Sequence, residues 1–419
     1  MIWTREQAKT LIDRALSLSK AEETFAVLNG ADRGNLRFAR NTATTAGTSS
    51  RYSLAITASF GKKSGTVTTA EFDDANLRQA IANAEEVARL SPDNPEAMPV
   101  LGPQTYGTGK AYFDDVANVT ADWRASAAAT AIELSKQKGV VSAGFVDTSA
   151  SVQAAGSSKG LFAYDRRTAA DYNLTARTAD GSGSGWASKS FNELRLLEPA
   201  ALGDLLAFLI FSADARQADE GRSFFSKKGG GNRIGEQVLG EKVNIYSDPS
   251  HTLAPTVMFD GGGLPITRTS WVEKGIWKDL NYSRFWAQKQ NREPTGGPAN
   301  LIMEGGNATL PDLIGGTERG VLVTRFWYIR PLDPQTLLFT GLTRDGLFLI
   351  EKGKVTRPVK NMRWNESPIV ALNNVDGMTP AERTVTGEGF GGSDGFTFGL
   401  VCPAARIREF TFSSASDAI

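Results

Sequence analysis

Polar catalysis has little to draw on in this chain: among 419 residues, His251 is the only imidazole and Cys402 the only thiol. Chemistry that needs a histidine pair, a His/Cys cluster or a Cys–His dyad is therefore short of parts. His251 lies in Ser247-Asp248-Pro249-Ser250-His251, where Asp248 and Ser250 suggest a triad. Three residues so close in sequence cannot present nucleophile, base and orienting acid in the required order, so His251 is read as structural or solvated. Asp147-Thr148-Ser149 and Asp260-Gly261-Gly262 each resemble one half of an aspartic-protease pair. That chemistry needs two matching loops whose carboxylates share a proton, and these segments do not match. Gly387-Glu388-Gly389-Phe390-Gly391-Gly392 fits G-x-G-x-x-G, yet a strand pattern follows where a dinucleotide site needs a helix. Lys227-Lys228-Gly229-Gly230-Gly231-Asn232-Arg233 lacks the Lys-Ser/Thr pair of a P-loop and reads as a loop.

The elements carrying these residues follow from periodicity. Thr4 and Gln7 suit a capping box, and Ala8, Leu11, Ile12, Ala15 and Leu16 continue at helical spacing. Short strands are expected at Thr24–Leu28, Leu36–Ala39 and Tyr52–Ser59. A second helix should follow Asp73 and Asp74 and stop at Ser91-Pro92. A third should run from about Thr120 to Lys138, with Gly139 as its end. From Val140 to about Arg177 the alternation fits antiparallel strands. A fourth helix, roughly Glu198–Ala215, is apolar on more than one face and should be deeply buried. Further strands are expected at Thr256–Phe259, Gly320–Tyr328, Thr336–Phe339 and Leu347–Glu351. The aromatic stretch from Trp271 to Trp286 is read as core and sheet packing, with a peptide groove or protein interface as the other reading. The fold class is α+β: an α/β sandwich-like N-terminal region over residues 1–195, with a candidate subdomain break near 100–118, then a mostly β domain over 196–419 with a buried helix at its start.

Lysine plus arginine and aspartate plus glutamate are both 46, so no basic surface argues for nucleic acid. The longest apolar run, Leu205–Phe211, is too short to span a bilayer. One cysteine and a charged start without a signal-peptide pattern fit a cytoplasmic protein.

The order of segments after residue 196 resembles the TldD/PmbA family, historically called modulators of DNA gyrase. Five stretches carry the resemblance: Gly221-Arg222-Ser223-Phe224-Phe225 with Ile234–Val238, Phe259-Asp260-Gly261-Gly262-Gly263-Leu264-Pro265, Asn300–Gly306, Gly341–Gly346 leading to Ile350–Val359, and Gly389–Gly395. In the family's TldD branch the resemblance implies a zinc held by an H-E-x-x-x-H helix and a late cysteine. Such a site needs three protein ligands, an open position for water and a carboxylate base. Counting back from Gly221 puts the histidine positions at Leu206 and Phe211; anchoring on the paired leucines puts them at Ala207 and Ser212. The glutamate position becomes Ala207 or Phe208, and the late cysteine position becomes Gly391.

This pattern is most similar to the PmbA (TldE) branch. The resemblance then implies a zinc-free, non-catalytic subunit of a heteromeric metalloprotease. It would pair with a zinc-bearing TldD-like subunit and help bind an unfolded or leader peptide as an added strand. No catalytic residue, metal ligand or cofactor is expected in this chain itself. Asp260, Gly261, Gly262, Glu304 and Gly305 are the candidates for approaching a peptide channel, with ordinary turns as the competing reading. A stand-alone peptide-binding module, or a peptidase with an unrecognised site, remains the alternative.

Overall fold

The computed structural model describes residues 2–181, 183–192, 202–384 and 398–416. Helix α1 (Arg5–Leu18) opens with the expected capping box, Thr4 and Gln7 each satisfying the other's backbone N–H. Helix α2 (Asp74–Leu90) is capped by Asp73, whose carboxylate accepts from the N–H groups of Ala75 and Asn76. A short helix not foreseen, α3 (Asp114–Ala117), precedes α4 (Ala121–Gln137). Gly139, at φ +66, lets the chain leave α4 through the left-handed region.

Six strands form one antiparallel sheet: β1 (Glu23–Ala39), β2 (Thr42–Phe60), β3 (Lys63–Thr69), β4 (Val140–Ser157), β5 (Phe162–Thr178) and β6 (Ser184–Phe191), in the order β3-β2-β1-β4-β5-β6. The strands on either side of residues 91–113 therefore pair with one another, β1 against β4. The two short strands expected before residue 40 are one 17-residue strand. Gly30, Asp32 and Gly34 interrupt the apolar pattern, but β1 is held on both edges, so pairing overrides local propensity.

Even-numbered side chains of β1 and β2 face the helices. Leu28, Leu54, Ile56 and Ala154 pack with α1 and α2, and Leu36, Phe38 and Val146 pack with Ala128 and Ile132 of α4. The odd face meets the C-terminal half at one end, where Phe25, Val27, Ala155 and Ala163 surround Phe259.

The C-terminal half begins with α5 (Leu202–Phe211) and α6 (Ala215–Asp219). The single helix expected over Glu198–Ala215 is thus broken. Ser212 and Ala213 leave the helix, and Asp214 caps a new one through Gln217 N–H. A mixed six-stranded sheet runs Glu382–Thr384, Gly399–Cys402, Asn300–Met303, Ile245–Ser247, Thr269–Glu273, Ile276–Trp277, with Asn300–Met303 parallel to Gly399–Cys402. Smaller antiparallel sheets complete the layer. The strand expected over Gly320–Tyr328 divides between two of them, as Arg319–Val323 and Phe326–Asp333. Thr256–Phe259 forms no strand; Phe259 makes only an isolated bridge with Pro265, because a tight turn follows at once. Trp271, Trp277 and Tyr282 are fully buried and Trp286 nearly so, which decides that stretch in favour of core packing. Among the described residues no helix is long and apolar enough to cross a membrane.

A row of charges joins the halves. Asn35, Asp147, Asp171 and Ser190 lie side by side across β1, β4, β5 and β6 on the odd face. Two carboxylates directly opposite on neighbouring strands repel. Arg33 pairs with Asp147 at 2.5 Å, and Arg383, only 6% exposed, reaches in from the C-terminal sheet. The Arg383 guanidinium donates to Asn192 Oδ1 (3.1 Å) and Leu253 O (2.8 Å). Burial lowers its pKa to about 10, opposed by the charge of Asp171. The Asp171 carboxyl is pushed up by burial and by Asp147, and held down by Ser190, Arg383 and Arg33.

Removing one partner of such a buried set costs about 3–5 kcal/mol. Arg383→Met should lower the urea midpoint accordingly, and adding Asp171→Asn should recover much of the loss. A single variant with unchanged midpoint would show that the charge row does not hold the halves together.

Candidate functional site

The helix at the position of a zinc-binding helix is α5, Leu202-Gly203-Asp204-Leu205-Leu206-Ala207-Phe208-Leu209-Ile210-Phe211. It has no polar face. Leu205, Leu206 and Ala207 are wholly buried. Gly203 is there because the strand Gly399–Cys402 lies against the helix; a Cβ at residue 203 would overlap Leu400. Phe208 packs on Phe339 and Phe211 on Phe398, with ring centroids 5.1 and 5.2 Å apart. Ser212 spends its hydroxyl on Phe208 O at 2.8 Å. In either register, then, the histidine and glutamate positions hold apolar side chains or a locally bonded serine. Gly391 and the Gly387–Gly392 motif lie outside the described residues.

The one charge on α5, Asp204, is 2% exposed and lies in the field of Arg325 and near Cys402. Arg325 pairs with Asp345 at 3.0 Å and stacks between Trp186 and Trp327. Cys402 is 1% exposed. Burial, and secondarily Asp204, pushes its thiol far above the ordinary range, which opposes the thiolate that metals and electrophiles require. No group of three His, Cys, Asp or Glu side chains among the described residues could hold a metal ion. The donors among the described residues therefore do not fit a zinc site.

His251 is likewise accounted for. Its Nδ1 accepts from Leu253 N–H at 3.3 Å, and burial lowers its pKa. Ser250 donates to Asp248 at 2.7 Å, not to the imidazole, so no relay exists. Asp147 is tied to Arg33 and Asp260 to its own turn, which removes the aspartic pair.

The five channel candidates fall in two separate turns. Asp260 Oδ1 accepts from the N–H groups of Gly262 and Leu264, both at 2.9 Å, and its backbone closes the turn through Gly263 at φ +81. Gly261 and Gly262 are exposed at the tip. This turn sits on the N-terminal half: Tyr106 donates to Gly263 O at 2.8 Å. Glu304 is exposed at the end of the strand Asn300–Met303, and its N–H bonds Asn244 O. Gly305 faces the backbone of Thr379–Ala381 so closely that a Cβ would overlap it. No hydrogen bond or ion pair joins Asp260 to Glu304.

Sequence reading missed a groove on the odd face of the N-terminal sheet. It has a volume of about 1180 Å³, and Asn29, Arg51, Gln153 and Arg167 are among the residues that line it. Val257, three residues before Asp260, forms part of its wall. Asp165 bonds Met258 N–H at the same junction. The alternation of polar side chains along β1 and β4 was its only signal, and that pattern looks like any solvated sheet face.

The family model for the PmbA/TldA metallopeptidase C-terminal domain matches residues 195–414. Those for domain 1 and the central domain match 28–88 and 115–213. The chain belongs to the PmbA/TldA metallopeptidase family. It is 27% identical over 196 residues to a metalloprotease of Methanothermobacter thermautotrophicus, covering 42% of this chain and 41% of that protein. It is 23% identical over 182 residues to a zinc metalloprotease TldD homolog of Saccharolobus solfataricus, covering 39% and 37%. These alignments span about four tenths of the curated relatives' length. The crystal structure of TldE from Thermococcus kodakarensis superimposes with a TM-score of 0.83 at 19% identity, covering 97% of this chain and 99% of that one. That likeness establishes the α+β fold of this PmbA/TldA family member.

Two measurements check the site. Cys402 should resist a thiol reagent in the native protein at pH 8 and react stoichiometrically once unfolded. Native labelling at the denatured rate would mean the strand is open. Gly305→Ala should cost about 1–3 kcal/mol by overpacking, read as a lowered denaturation midpoint, whereas Gly261→Ala at the exposed tip should cost far less.

Proposed function

We propose that this chain is the metal-free, non-catalytic subunit of a heteromeric TldD/PmbA-type metalloprotease. One observation carries the reading: α5, at the zinc-helix position, is an apolar core element whose histidine and glutamate positions hold no ligand or base and whose one carboxylate, Asp204, is buried. The partner is a zinc-bearing TldD-like subunit, and the assembly works in the cytoplasm on unfolded or leader peptides. This chain's contribution is to grip the peptide's main chain. An extended peptide bound by backbone hydrogen bonds leaves sequence choice loose.

The Asp260–Gly262 turn is the better channel wall. It begins three residues after Val257, which lines the 1180 Å³ groove, and has exposed glycines that let another backbone come close. Gly305 acts in packing, which leaves exposed Glu304 as the element of the second turn that a peptide can meet.

Co-expression with an H-E-x-x-x-H relative from the same source tests this. The expected result is a stable complex that cleaves an unfolded peptide while neither subunit does so alone. In that complex Gly261→Val should weaken cleavage without dissociating the subunits. Cleavage by the isolated chain would overturn the proposal and favour a peptidase with an unrecognised site. Tight peptide binding with no complex would favour a stand-alone binding module.

A further inference from the structure

A second cavity, of about 480 Å³, lies on the helix-covered face of the N-terminal sheet. Its volume is within the usual range for small-molecule sites, about 300–1,000 Å³. The floor is a cross-strand patch of β2, β1 and β4: Thr48, Gly34 and Thr148 in one row, Ser50, Asp32 and Ala150 in the next. Trp3 and residues of the segment from Val116 to Arg124 line its sides, and it is open to solvent. It falls between the cluster under α1 and α2 and the cluster under α4, and it is bounded by a stretch of β2 that pairs only with β1. Strand β3 covers β2 only from Leu54 onward, and residues 42–51 are exposed.

Arg124 is the unusual member. It is 4% exposed, yet no carboxylate among the described residues lies within ion-pair distance of it. Its Nη1 donates to Thr148 Oγ1 (3.0 Å) and Val119 O (3.3 Å). Among the described residues its Nε and Nη2 find no hydrogen-bond partner. The guanidinium lies flat over Gly34, where any Cβ would overlap its carbon and both terminal nitrogens. Asp147, the acid nearest in effect, is already engaged by Arg33. A buried charge without a counter-ion is costly. A glycine that makes room for it, and a cavity in front of it, are features of a site that receives an anion.

The rest of the cavity says which anion. A guanidinium fork matches the planar carboxylate. Asp32 lies two residues along the same face of β1, about 7 Å away, and accepts from Ser50 Oγ (2.7 Å). Its negative charge disfavours a polyanion or a second carboxylate in the same space. Trp3, stacked on Tyr52 with ring centroids 5.4 Å apart, and Val116, Ala117, Val119 and Ala150 supply apolar wall.

We propose that this cavity binds a small monocarboxylate with a short apolar body, its carboxylate on Arg124. Such a head group belongs to a free short-chain acid or to the C-terminal residue of a peptide. The inference stands apart from the subunit role proposed above.

Calorimetric titration of the full-length chain tests it with four probes: isovalerate, the peptide acetyl-Ala-Ala-Val with a free carboxylate, the same peptide as its C-terminal amide, and inorganic phosphate. Saturable one-to-one binding of a carboxylate is expected, with the amide and phosphate weaker by about tenfold or more, as loss of a charge-assisted hydrogen bond implies. Preference for the free peptide over isovalerate identifies a peptide terminus, and the reverse identifies a free acid. Arg124→Gln and Gly34→Ala should each weaken binding to the same extent. Because Arg124 is buried, Thr48→Trp serves as the independent variant: it lies on the exposed stretch of β2 that pairs only with β1, leaves Arg124 untouched and fills the cavity. Equal binding of peptide acid and amide, no binding of either carboxylate, or binding that survives both Arg124→Gln and Thr48→Trp would overturn the proposal.

Discussion

A helix without a polar face has to be covered along most of its surface, and in this chain α5 sets that demand on the C-terminal half, with only Phe211 at its end half exposed. Its leucines are sealed by the strand Gly399–Cys402, by Phe339 and by the helix Pro368–Asn373. Burying a leucine contributes on the order of 1.5–3 kcal/mol, so the helix is held by its own hydrophobicity. A metal-binding helix in the same place would have to keep one face polar and open to water. The two designs are mutually exclusive at these residues. In this chain those positions of α5 hold side chains of the C-terminal core.

The same economy of polar groups governs the junction between the halves. Phe259 packs into the apolar end of the odd face, while Arg383 and Arg33 neutralise the facing carboxylates Asp171 and Asp147 at the other. Between these two anchor points lies the polar groove bordered by Val257. An apolar contact fixes the spacing of the halves, and the charge row fixes their registration, because misplacing Arg383 leaves two carboxylates face to face. The groove is therefore a consequence of how the halves meet.

Much of this was legible in the residues themselves. The capping box at Thr4, the cap at Asp73 and the stop at Gly139 located three helices, since each rests on a local hydrogen bond or a local φ. The all-apolar run from Leu205 to Phe211 announced burial, and the order of the five segments from Gly221 to Gly395 pointed to the family. What was hidden is non-local. Asp147 and Asp171 become neighbours only through the register of β4 and β5. Gly34 looks like a strand breaker until Arg124, ninety residues later, is seen lying on it. Thr256–Phe259 has strand composition, but Asp260 turns the chain before any partner is reached.

The central claim is that α5 has exchanged metal ligation for packing, and the most direct measurement is the zinc content of the purified chain. After dialysis against micromolar zinc and removal of excess, elemental analysis should find far less than one equivalent per chain. Zinc near one equivalent, released together with loss of structure on chelation, would contradict the account and require ligands that α5 and Cys402 do not provide.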